Sequence, residues 1–202
     1  MNLKVYTTAL CLFFVFGISP GCSPEEITKD EVLSVHANKQ LGKEAAIDKL
    51  IPRIFIHSLK ELKLGFDPST KDSLLEISYG GSSALTFSSQ KEYKTNTVMT
   101  HALYSAKTLF ASAPYPISQV RLSLVKPLYV KDETNPDVGI QEFEILRISM
   151  DMKKAREILS KHSNVDPFST EKSGEKERKA FLEDLIRIWK VELDELNKIT
   201  VE

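Results

Sequence analysis

Histidine, serine and paired carboxylates are the side chains through which this chain could do chemistry, and few of them stand at chemical spacing. His101, Tyr104 and Thr108 recur three and four residues apart, which on a helix puts them on one face opposite an apolar arc. Such a polar face can bind a ligand, but no second His or carboxylate stands at the i+4 position that a helical metal site requires. A solvated surface is the plainer reading. His36, His57 and His162 are scattered, and there is no HExxH or paired-cysteine spacing. Ser82 and Ser83 follow Gly80 and Gly81, yet a nucleophile elbow needs a further glycine after the serine, and a Gly-rich turn leaving a strand accounts for the run. Glu142 and Glu144 alternate with Phe143 and Ile145, which marks the solvent side of a strand and supplies no second wall for two-carboxylate hydrolysis. The acidic run 131–137, KDETNPD, lacks the central glycine and terminal glutamate of a calcium loop. No catalytic or metal constellation emerges. The expectation is a protein that is not an enzyme and needs no cofactor.

The elements that position these residues follow from hydrophobic periodicity. Ser23 with Glu26 and Thr28 with Glu31 have capping-box spacing, so a helix starts near Thr28. Apolar residues from Val32 to Leu62 recur mostly at helical spacing, with Gly42 and Pro52 as interruptions. This predicts two or three helical pieces ending near Gly65. From Ser73 the period becomes two, with Leu75, Ile77 and Tyr79 on one side of a strand. Ser89 with Glu92 opens another helix, whose apolar arc is Met99, Ala102, Leu103, Ala106, Leu109, Phe110 and Ala113, and Pro114 and Pro116 close it. Val120, Leu122 and Leu124 form a second strand. Phe143, Ile145, Ile148 and Met150 form a third, whose phase slips near Leu146 as at a β-bulge. NPDVG, residues 135–139, has the residues of a hairpin turn between them. A short helix is expected from Met152 to Ser160.

The polar stretch 162–179 reads as a linker. Beyond it Leu182, Leu185, Ile186, Trp189, Leu193 and Leu196 keep helical spacing, which predicts an amphipathic helix over 180–202. Docking on its own domain is the first reading of that stripe. The second is a partner surface anchored by Trp189, since large aromatics dominate binding where they are desolvated. The fold class is therefore α+β: a helical N-terminal segment, a strand-helix-strand-strand layer with an antiparallel hairpin, one helix on a mainly antiparallel sheet, and a C-terminal amphipathic helix.

The first 21 residues carry a single charge, Lys4, ahead of 14 uncharged residues from Val5 to Ile18. That run is too short to cross a bilayer but suits the apolar region of a secretory signal peptide. Without residues 1–21 the chain keeps 26 basic and 28 acidic side chains, a formal charge of −2, so it offers no basic footprint for nucleic acid. Cys11 leaves with the signal peptide, and Cys22 becomes both the first residue and the sole thiol, which cannot form an internal disulfide. Ile18-Ser19-Pro20-Gly21-Cys22 resembles the lipobox of bacterial lipoproteins, in the relaxed form of the spirochaetal ones. Gly21 matches the small residue before the acylated cysteine, while Ser19 departs from the usual leucine. The resemblance covers about a tenth of the chain. It implies a diacyl or triacyl anchor at Cys22 in the bacterial envelope, the outer membrane ahead of the inner, since two or more chains hold a protein stably where one does not.

The expected organisation is a signal peptide over 1–21, a lipidated tether over 22–27, one α+β domain over 28–161, the linker and the terminal helix. The expected role is an interaction or structural module of the envelope, with an envelope protein as partner. The alternative is a small-ligand or envelope-polymer binding lipoprotein that uses the polar helix face, His101 and Tyr104, or the sheet.

Overall fold

A computed structural model describes residues 26–67, 72–81, 89–129, 140–169, 171 and 174–198. Cys22, the 135–139 turn, and Ser82 and Ser83 lie outside the described residues. Among the described residues the fold is mixed α+β, with five helices and a five-stranded mixed sheet.

Helix α1 (Lys29–Ala37) begins where its cap dictates. Thr28 Oγ1 accepts from the Glu31 amide at 3.3 Å, and Glu31 Oε2 accepts from the Thr28 amide at 2.9 Å, a complete capping box. Helix α2 (Lys43–Ile54) follows Gly42 as its N-cap and carries Pro52 in its last turn. It buries Ala46, Ile47, Leu50, Ile51 and Ile54, the stripe expected of one helical face.

The next segment departs from expectation. Leu59–Asp67 is a strand, β1, rather than the end of a helix. Leu59 and Leu62 fit helical spacing, but Leu62, Leu64 and Phe66 also alternate, and pairing with the following strand settles the ambiguity. Strand β2 (Asp72–Tyr79) runs antiparallel to β1. Helix α3 (Gln90–Ser112) is capped by Ser89, whose Oγ accepts from the Glu92 amide at 3.2 Å. It crosses over to β3 (Gln119–Tyr129), which lies parallel to β2. Strand β4 (Ile140–Asp151) returns antiparallel to β3. Leu124 faces Leu146 while Val125 faces Glu144, so Ile145 is the extra residue of a bulge. The bulge lets two consecutive residues, Ile145 and Leu146, both be buried.

Helix α4 (Met152–Lys161) starts at Asp151, whose carboxylate accepts from the Lys154 amide at 2.9 Å. Helix α5 (Glu175–Arg187) is followed by strand β5 (Lys190–Asp194), antiparallel to β4. The expected helix over 180–202 is thus half as long. Trp189 lies beyond its end, and Leu193 belongs to the strand, because an edge of β4 offers backbone partners that a continued helix would leave unpaired. In the stretch expected to be a polar linker, Val165 and Phe168 are buried, and α5 has begun by Glu175.

The sheet order is β1-β2-β3-β4-β5. Its inner face presents Leu75, Ile77, Val120, Leu122, Ile148 and Met150, all at most 2 % exposed. Several helices, rather than one, build the layer above it: α3 contacts β3, and α2, α4 and α5 gather around α3. Arg156 of α4 ties this layer together. Its guanidinium donates to the carbonyls of Ala113, Tyr115 and Ile117 at 2.8, 2.8 and 3.1 Å, satisfying the chain as it leaves α3.

Candidate functional site

Two places gather polar chemistry. The first is the core side of α3. His101 and Thr108, expected on a solvated face, are fully buried, together with Ser105 and Ser112. Of the expected apolar arc Ala102, Ala106 and Leu109 are fully buried, while Met99, Leu103 and Phe110 are only partly so, and the small and polar stripe through His101 is buried as well. Small residues allow close approach, and Ser105 and Ser112 donate to the carbonyls of His101 and Thr108 at 2.8 and 2.7 Å, so their hydroxyls are satisfied within the helix.

Around His101 gather aromatic rings from β2, from α3 itself, from the C-cap of α2 and from the link between α5 and β5. The Tyr79 hydroxyl of β2 lies 2.6 Å from His101 Nδ1. Tyr104 stacks on Phe55, with centroids 4.8 Å apart, and Trp189 meets the His101 ring edge-on at 5.4 Å. Burial pushes the Tyr79 pKa well up and holds the imidazole down to about 3, so both groups are neutral, and the imidazole tautomer sets which of the two donates in the bond between the hydroxyl and Nδ1. His101 Nε2 and Trp189 Nε1 are buried without a hydrogen-bond partner among the described residues. The structure therefore brings Trp189, which the sequence placed on the terminal helix, against His101, which shares α3 with Tyr104. It does so as core packing, with Trp189 docked on its own domain. The missed members are Phe55 and Tyr79. Tyr79 carried a signal: a hydroxyl at the apolar phase of a strand has to find a buried partner.

The low pKa of His101 has a consequence for stability. Below the free value of 6.5 the unfolded chain takes up a proton that the folded chain refuses until the pH nears 3, so stability falls as the pH drops through that window. At about 1.4 kcal/mol per unit, the wild type should lose about 2–3 kcal/mol between pH 7 and pH 4.5 from this group alone. His101→Asn should remove that share of the loss. Urea unfolding at the two pH values checks it, and an identical pH difference in the variant would sink the assignment.

The second place is the outer face of the sheet. Across the strands one row reads Lys63, Glu76, Arg121, Ser149 and Lys190, and the next Glu61, Ser78, Ser123 and Arg147. Lys63 Nζ lies 2.6 Å from Glu61 Oε1, which raises its pKa. Arg121 bridges Glu76 of β2 and Glu192 of β5, the latter at 3.0 Å. Burial would raise the pKa of Glu144, but the Arg147 fork, with Nε at 2.7 Å, and Ser123 bring it below the ordinary value. Glu142, the other carboxylate of the pair considered above, binds Lys60 instead. Both glutamates are thus paired with cations. The result is a ladder of alternating charge on which long side chains are already held in place. Arg121 was legible as an outward position of β3, whereas its partners required the strand register.

A hollow lined by Ile27, Glu31, Val35, Lys49 and Arg53 encloses about 150 Å³, below the roughly 300–1,000 Å³ common for ligand pockets. Among the described residues no cluster of His, Cys, Asp and Glu could hold a metal, and no helix is long and apolar enough to cross a membrane. In comparisons with known proteins, no family model, no curated protein and no solved structure matches the chain.

Proposed function

We propose that the chain is a lipid-anchored lipoprotein of the bacterial envelope whose α+β domain acts by binding another envelope protein through the outer face of its sheet. The anchor is supported by the lipobox-like 18–22 stretch behind 14 uncharged residues, with Cys22 the sole thiol beyond it. The binding role is carried by one observation. The inner side of the sheet is packed with apolar residues under helices, while the outer side carries Glu61, Lys63, Glu76, Arg121, Glu144, Arg147 and Glu192 in a charge ladder. Side chains already fixed by ion pairs, across strands for Arg121 with Glu76 and Glu192 and within a strand for Glu61–Lys63 and Glu144–Arg147, lose little further freedom on association, and a patterned charge surface selects a complementary partner. Small-ligand binding is the second reading, supported by the small hollow beside α1.

Two substitutions test the two halves. Cys22→Ala should abolish incorporation of labelled fatty acid and move the protein from the detergent to the aqueous phase, leaving its unfolding midpoint unchanged. A wild type that takes up no label and partitions as soluble removes the anchor. Glu61→Ala with Lys63→Ala alters two side chains that are over half exposed, so the fold should keep its stability within about 0.5 kcal/mol. The double variant should lose a partner recovered by the wild type from detergent-solubilised native membranes. Undiminished recovery removes the sheet face as the binding surface.

A further inference from the structure

The described chain begins against the back of α3. Glu26 Oε2 lies 3.5 Å from Lys107 Nζ, and Ile27 is buried. Lys29 Nζ sits 5.7 Å from the Phe110 ring centre, and His36 Nε2 is 3.0 Å from the Ala111 carbonyl oxygen. At about 100° per residue, Lys107 and Phe110 lie about 120° and 180° around α3 from His101, and His101 is the residue that meets Tyr79 of the sheet. Residues 26–37 therefore cross the side of α3 remote from the sheet. From Cys22 to Glu26 the chain can span at most about 14 Å. A domain of this size has a radius of gyration of about 16 Å, so a tether that short cannot carry the opposite face around to the point of attachment.

Resting on the reading of Cys22 as acylated, we propose that the helix layer, centred on the outer side of α1, lies against the lipid headgroups, and that the outer face of the sheet is turned away from the bilayer. The surface at that position suits an interface of mixed polarity. Leu33 is 44 % exposed on the outside of α1, Phe110 and Tyr115 are partly exposed beside His36, and Lys29 lies among them. Apolar and aromatic side chains next to a lysine fit the boundary between headgroups and acyl chains. The orientation also leaves the charge ladder open to a protein partner.

The test uses the full acylated chain in vesicles of phosphatidylethanolamine and phosphatidylglycerol. Acylation consumes the Cys22 thiol and Cys11 departs with the signal peptide, so an introduced cysteine is the only free one. Leu33→Cys and Lys63→Cys, both at exposed positions, each receive a fluorophore, and quenching by a lipid carrying the quencher on its headgroup is compared. Quenching at position 33 should exceed that at 63 by at least threefold. A 20-residue Gly/Ser spacer inserted after Ser23 should bring the ratio close to one. Equal quenching, or stronger quenching at 63, in protein that still floats with vesicles overturns the orientation and leaves the anchor standing. An unaltered ratio with the spacer overturns the short tether as its cause. Protein that takes up no acyl group and does not float overturns the anchor, and the orientation with it.

Discussion

Removal of residues 170–202 should unfold the domain. Helix α5 and the segment after it bury Phe181, Leu182, Leu185 and Leu196 at 2, 6, 0 and 4 % exposure, and each large apolar side chain contributes about 1.5–3 kcal/mol when buried. Their loss sums to about 6–12 kcal/mol, comparable with the whole stability of an ordinary domain, about 5–15 kcal/mol. The deletion also strips β5 from β4 and takes Trp189 from the ring of His101, leaving an unpaired strand edge that invites association. The fragment should lack a cooperative urea transition and elute as aggregate. A soluble fragment with an unchanged midpoint would mean that the C-terminal stripe serves something other than this core.

Gly80→Ala should cost about 3 kcal/mol or more, at the upper end of what overpacking usually does. Register pairing of β2 with β3 ends at Tyr79 opposite Leu124, and at the next step a Cβ on Gly80 would stand 1.7 Å from the Val125 carbonyl oxygen and 2.8 Å from its carbon. Backbone, unlike the end of a flexible side chain, cannot swing aside. Nor is the position free to drift, because the Gly80 amide donates to the Ser58 carbonyl at 2.8 Å. Gly65→Ala provides the contrast: on edge strand β1 the added Cβ meets only the Leu74 carbonyl oxygen at 3.9 Å, an ordinary contact, and the change should stay within about 1 kcal/mol. Equal urea midpoints for the two variants would show that the chain relaxes around Gly80 after all.

What the sequence determined by itself is what local physics decides. The cap at Thr28, the start of α3 at Ser89, the two-residue period of Leu75, Ile77 and Tyr79, and the antiparallel pairing of the strands carrying Val120 and Ile148 were all legible. Each depends on neighbours within a few residues or on one unbroken alternation. The slip near Leu146 was legible for the same reason, since two adjacent apolar residues within an alternating strand require a bulge.

Tertiary structure decided the rest. Leu59 to Phe66 and Trp189 to Leu196 carry apolar spacings compatible with both helix and strand, and only the free edges of β2 and β4 select the strand. The buried part of α3 was read too narrowly: Ala102, Ala106 and Leu109 of the expected arc are inside, but the polar stripe was taken as exposed because polarity was taken for exposure. His101, Ser105, Thr108 and Ser112 lie inside because their neighbours need close approach, and because the helix's own carbonyls and the Tyr79 hydroxyl supply partners to His101, Ser105 and Ser112. The charge ladder is likewise invisible in the chain: Glu76, Arg121 and Glu192 stand 45 or more residues apart, and only the strand register brings their charges within ion-pair distance.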